Sequence, residues 1–149
     1  EIRDVGADYA IELHFNAASS SANGHEFLYW KTSTGGKKMA EAFAKAYGLA
    51  FPNSRARQDQ GTLGIADGDR GSQFLKKTHC PACILEPFFG SNHTEWDIAK
   101  ESSHLIAEAY ASAIGELVEI APIDPPVVIP PSLTLEERVA RLESLHPEL

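Results

Sequence analysis

Apolar and polar positions along this chain fall into patterns that predict its elements before any chemistry is considered. Tyr9 to Phe15 alternates, with Ile11, Leu13 and Phe15 on one face and Glu12, His14 and Asn16 on the other, as a strand requires. His25 to Trp30, HEFLYW, is dense in aromatics and predicts a second strand. Leu63 to Ala66 is a shorter candidate. Ala82 to Leu85 is apolar without a break, which suits a strand covered on both faces, and Pro87 marks its end because proline cannot donate to a ladder.

Helical spacing at Met39, Phe43, Ala46 and Tyr47 predicts a helix from Gly36 to Tyr47, capped by Thr32 or Ser33 and closed by Gly48. Ser72 to Thr78 predicts a short helix. Thr94 caps the longest one, with Asp97 completing something close to a capping box, and its apolar stripe runs from Trp96 through Ala109 to Leu117. Ala17–Gly24, Phe51–Gly61 and Asp67–Gly71 read as loops or turns, and Ile2–Gly6 as the tail of a helix ended by glycine. The expected fold class is α/β, a mostly parallel open sheet flanked by helices.

The pattern changes at Ala121. APIDPPVVIPP predicts an extended spacer. Thr134-Leu-Glu-Glu137 then opens a last helix, in which Leu135, Val139, Leu142, His146 and Leu149 keep a four-three spacing, as in a tail that docks a partner or self-associates. The expected division is a domain over 1–120, a linker over 121–131 and a short amphipathic helix over 132–149.

Composition narrows the function. A chain of 149 residues with 43% apolar and 23% charged residues suits one globular domain with an appendage. A net charge of −8, with no Lys/Arg cluster, argues against nucleic acid and anionic lipid as partners. No apolar run reaches the roughly 18 residues of a membrane span. Met39 is the only methionine and the chain opens at Glu1, so an upstream segment is expected to have been removed. Cys80 and Cys83 form a CxxC, but an apolar strand follows where a redox motif needs a helix amino terminus, so structural cysteines are expected.

Two polar residues stand where chemistry gathers in α/β sheets, at the carboxyl ends of strands. Glu86 closes the Ala82 strand and His14 lies near the end of the first. An imidazole and a carboxylate brought to one rim can share a metal-activated water. The bland reading is that Glu86 simply marks where its strand leaves the core.

Three blocks carry a family resemblance: GADYAIELHFNA (Gly6 to Ala17), GHEFLYW (Gly24 to Trp30) and RGSQFLKKTHCPACILEPFFGSN (Arg70 to Asn92). In order and spacing they resemble the zinc-dependent N-acetylmuramoyl-L-alanine amidases, the catalytic domains of phage endolysins and bacterial autolysins. The resemblance spans roughly Ile2 to Ile120. It implies a peptidoglycan hydrolase that cuts the amide between N-acetylmuramic acid and the L-alanine of the stem peptide. It further implies Zn2+ as cofactor, peptidoglycan as partner, and a cell-wall site of action, extracellular or periplasmic, for a bacterial or a phage-encoded enzyme.

Residue by residue, the resemblance implies that His14, in LHFNA, is a zinc ligand and that Glu86, in CILE, is the catalytic carboxylate. It places Glu26 and Asn16 at the site as substrate-binding residues, with a cross-strand structural role for Glu26 equally open. Two further ligands, a histidine and a glutamate, are expected from a strand and helix upstream of Glu1, so the expectation is an amino-terminally truncated domain that by itself binds zinc weakly and turns over little or nothing. His25 and His93 are minor candidates to replace them. Pro87-Phe88-Phe89 departs from the small or aliphatic residue and glycine usual after the glutamate. The alternative is an amidase-like module that binds peptidoglycan, or serves in an assembly, without cutting. A zinc nucleoside deaminase does not match, because its H-x-E and P-C-x-x-C order is absent.

Overall fold

The computed structural model describes residues 6–118. The expected helix tail before Gly6, the proline-rich spacer and the 132–149 helix lie outside the described residues. Within them are four strands, β1 (Ala10–Leu13), β2 (Glu26–Trp30), β3 (Thr62–Ile65) and β4 (Ala82–Glu86). Four helices accompany them: α1 (Thr34–Ala50), α2 (Ser72–Lys77), α3 (His93–Glu101) and α4 (Ser103–Leu117).

The strands form one open sheet in the order β1-β4-β2-β3. β1 pairs with β4 and β2 with β3 in parallel, while β2 and β4 are antiparallel, so the sheet is mixed with parallel pairing in the majority. β4 is an interior strand and every one of its residues is buried, which explains its unbroken apolar sequence.

Side-chain alternation sorts β4 between two cores. Cys83 and Leu85 pack with Phe27 against Met39, Phe43 and Tyr47 of α1 and Ala113 of α4. On the other face Ala82 and Ile84 pack with Ala10, Leu28, Ile65 and Leu75 of α2. Glu86 and Glu26 follow the parity of this second face, and so does His14 on β1. The arrangement matters for the site, because the face that carries Glu86 and Glu26 is the one on which the short helix α2 packs.

Several boundaries differ from those the pattern predicts. Ser33 caps α1, its Oγ accepting from Gly36 N at 3.0 Å, but the helix runs through Gly48. It stops at Phe51 because Pro52 disfavours helical backbone in the residue before it. α3 is capped by Asn92 rather than Thr94, Asn92 Oδ1 accepting from Thr94 N and Glu95 N. The single long helix is two, broken at Ser102, where two adjacent serines compete for backbone hydrogen bonds while the apolar stripe continues across the break. β1 ends at Leu13 rather than Phe15, and these two apolar residues are 72% and 53% exposed.

Candidate active site

Strand direction brings the polar residues together. β1 and β4 run parallel, so their carboxyl ends reach the same rim, with Leu13 level with Leu85. His14 N donates to Leu85 O at 3.0 Å, which carries the pairing one residue further and sets His14 level with Glu86. Because β2 is antiparallel to β4, its first residue, Glu26, is the direct cross-strand partner of Glu86. Asn16 joins them through a bridge to Phe89, donating its N–H to Phe88 O at 2.8 Å and accepting from Gly90 N at 2.9 Å.

Glu86 is 2% exposed, and both its oxygens accept from Arg70 Nη2, at 2.9 and 2.8 Å. Burial pushes its carboxyl above the usual carboxylate range; Glu26 adds to the rise, and Arg70, His14 and Arg57 oppose it. The same Nη2 reaches Asn16 Oδ1 at 3.3 Å. Asn16 Nδ2 donates in turn to Glu26 Oε1, and Glu26 Oε2 accepts from Arg57 Nε at 3.1 Å. The Arg57 guanidinium also lies over the Phe89 ring, 4.9 Å from its centre. Two carboxylates are thus interleaved with two guanidiniums through one amide, and the buried charges are paired as the low-dielectric interior demands.

His14 stands at the mouth, half-exposed, with Nε2 3.3 Å from Glu12 Oε2. Its neighbours are fixed by loop-to-loop contacts. Glu95 accepts from Gly24 N and from Phe89 N, each at 2.7 Å, tying the loop before β2 to the turn after β4. Asn92 Nδ2 donates to Ala22 O at 3.0 Å in the same seam.

The other histidines go elsewhere. His25 follows the parity of Phe27 on the α1 face, away from Glu86; it is buried against Tyr47 and its Nδ1 is 2.9 Å from Ser54 Oγ. Burial lowers its pKa by disfavouring the imidazolium. His93 is an exposed first residue of α3. Cys83 is fully buried within β4, with its thiol pushed far up, and Cys80 is a half-buried free thiol, in keeping with structural roles.

Neither Arg70 nor Arg57 is given a role by the sequence pattern. Arg70 sits in the Asp67–Gly71 turn and opens the third of the family blocks. The turn ends on Gly71, whose φ of +80 favours glycine and whose added Cβ would fall on Ile84 Cδ1, two residues from Glu86.

A family model described as N-acetylmuramoyl-L-alanine amidase matches residues 2–116. The chain belongs to this family. Among solved structures it resembles the catalytic domain of the CD27L endolysin targeting Clostridia difficile, at 28% identity and a TM-score of 0.61, over 83% of this chain and 60% of that one. A putative N-acetylmuramoyl-L-alanine amidase from Neisseria meningitidis is 31% identical with a TM-score of 0.60, over 82% and 63%. The CwlD amidase from Clostridioides difficile, 20% identical with a TM-score of 0.68 over 80% and 59%, supports the amidase fold alone. No curated protein matches. The chain thus spans about three-fifths of these amidases, 59% to 63% of each.

Zinc in a hydrolytic centre takes three protein ligands and an open position. Among the described residues no three His, Cys, Asp or Glu side chains converge closely enough to hold a metal. His14 presents one imidazole at the rim, and the described residues do not assemble a whole centre among themselves. No helix among them is long and apolar enough to cross a membrane.

Proposed function

We propose that this amidase-family chain hydrolyses peptidoglycan at the amide between the lactyl group of N-acetylmuramic acid and L-alanine, with zinc as cofactor and the cell wall as its place of action. The observation that carries the proposal is Glu86: a nearly buried carboxylate at a strand end, with a raised pKa, on the rim that also holds His14. His14 is assigned as one zinc ligand. Zinc, when bound, supplies Lewis-acid polarisation of a water and of the scissile carbonyl.

The chain's own residues handle the proton. Glu86 accepts it from the attacking water, for which a carboxylate with a raised pKa is better matched near neutral pH than an ordinary one. Oxygen bonds to the carbonyl carbon, the C–N bond breaks, and Glu86 hands its proton to the departing nitrogen of L-alanine. Asn16 and Glu26 line the inner wall of the site. They are assigned to the substrate side of the site, where Asn16 also holds Arg70 Nη2 and its amide separates the Glu26 and Glu86 carboxylates.

The test is product analysis. The intact gene product with zinc should release new L-alanine amino termini from purified peptidoglycan while leaving the glycan chains whole. New reducing sugar ends instead would mean a glycosidase and would end the proposal. A second reading, a module that binds peptidoglycan without cutting it, draws on the pairing of both Glu86 oxygens with Arg70. It predicts cosedimentation with the wall and no new amines.

A further inference from the structure

We propose that Arg70 is a further catalytic residue, one that binds the scissile carbonyl oxygen as negative charge builds on it. This role rests on the amidase reading above.

Place is the first argument. Arg70 Nη2 contacts both oxygens of Glu86 and the Asn16 amide oxygen. A water deprotonated by Glu86 must lie about 2.6–3.2 Å from that carboxylate. The carbonyl it attacks therefore comes up beside the guanidinium, and no other cationic side chain contacts Glu86 among the described residues.

Unused donors are the second. A guanidinium carries five N–H donors in a planar fork. Only Nη2 of Arg70 is engaged; among the described residues Nε and Nη1 have no partner, and the side chain is 61% exposed. Arg57 is the internal contrast. Its Nε is bound to Glu26, its plane covers Phe89, and its side chain is 27% exposed, so it has become part of the scaffold. The Arg70 turn is also held firmly: Asp69 Oδ2 accepts from Ala66 N at 2.7 Å and Lys76 clasps Asp67 at 2.6 Å.

Timing of charge is the third. At rest the guanidinium is offset by the Glu86 carboxylate. When the water's O–H bond breaks and the proton passes to Glu86, that carboxylate becomes neutral and Arg70 loses its counterion. At the same moment the new C–O bond drives the carbonyl π pair onto oxygen. Arg70 thus attracts the oxyanion more strongly than it attracts the ground-state carbonyl, the condition for an interaction to raise kcat. When the pair returns, the C–N bond breaks and the nitrogen takes the proton from Glu86. The regenerated carboxylate then draws the guanidinium back. Arginine stays protonated throughout, so no proton is gained or lost at Arg70.

The experiment compares wild type, Arg70→Lys and Arg70→Gln in the zinc-loaded intact gene product, on a soluble muramyl peptide. It reads kcat, KM and the inhibition constant of a phosphinate replacing the scissile amide. Arg70→Gln should lower kcat by about 10²- to 10³-fold, the loss typical of one oxyanion donor, with KM little changed. Arg70→Lys should recover part of it. The phosphinate constant should rise by the factor that kcat/KM falls, a correlation that a merely structural role would not produce. Urea unfolding of each variant accompanies the kinetics. If Arg70→Gln does not fold, Arg70→Lys decides: its kcat/KM and phosphinate constant must still move together. A rise in KM alone, or turnover unchanged or faster in Arg70→Gln, overturns the role; the last outcome would make Arg70 a latch on Glu86. Inactive wild type overturns the amidase reading and this role with it, whereas active wild type with an indifferent Arg70 overturns this role alone.

Discussion

Glu26 and Glu86 face each other as direct cross-strand partners on β2 and β4, and each is neutralised by an arginine from a different loop. Like charges directly opposite in a sheet destabilise it. The two arginines and the Asn16 amide between the carboxylates are what make the pairing tolerable. Glu26 depends on Arg57 for its charge balance, because its side chain is 6% exposed.

Arg57→Ala should therefore destabilise the fold by about 3 kcal/mol, since removing one partner leaves a buried carboxylate uncompensated. Glu26→Gln should cost less, because it leaves no carboxylate charge uncompensated, although its one oxygen replaces two and the Asn16 bond is lost if it accepts from Arg57. Urea denaturation midpoints of the two variants check the order.

The raised pKa of Glu86 predicts a particular pH dependence in metal-free protein. Burial favours the neutral acid, so the folded chain holds this proton more tightly than the unfolded chain, whose carboxyl titrates near 4.5. Stability contributed by Glu86 is then full below about that pH and is lost as pH rises through the higher folded value. Glu86→Gln mimics the protonated form at every pH. Its stability relative to wild type should grow with pH across that window, and denaturant titrations at several pH values read the trend directly.

His25 predicts the opposite slope. Its folded pKa lies below the ordinary 6.5 because burial disfavours the imidazolium, so the unfolded chain takes up the proton first. Stability should be full above pH 6.5 and fall as the pH drops toward the folded value, and His25→Asn should flatten that fall. Gly61 packs against the same ring: it has φ +87, and an added Cβ would sit 2.9 Å from His25 Cδ2 and Nε2. Gly61→Ala should cost about 1–3 kcal/mol, as overpacking does, on top of the backbone strain. Thermal melting of that variant provides the check.

These cases show what the amino-acid order reveals and what it hides. β4 was legible because an interior strand needs an unbroken apolar run, and a carboxylate closing such a run stands out. His14 was placed near a strand end by a different pattern, the polar–apolar alternation of the edge strand β1. The arginines were not, because their positions depend on turns that cross the sheet, set by Gly61 and Gly71 at φ +87 and +80, and a local pattern carries no record of such a crossing. The break at Ser102 was hidden for a related reason: the apolar stripe serves two helices on one core as well as it serves one.

His14→Ala tests the assigned metal ligand apart from any turnover. Loss of a ligand should weaken zinc binding by at least about 10-fold, the lower end of what even supporting residues of zinc sites contribute. Zinc retained by the intact gene product after dialysis against a graded chelator series is the measurement. Retention equal to wild type would remove His14 from the site.

The most direct test of the central claim is the amount of new L-alanine amino termini released from purified peptidoglycan by zinc-loaded wild type and Glu86→Gln. The account predicts release by wild type and a fall of at least about 10²-fold in a variant that stays folded, the scale of lost general acid–base catalysis. Release by folded Glu86→Gln at the wild-type rate would contradict it.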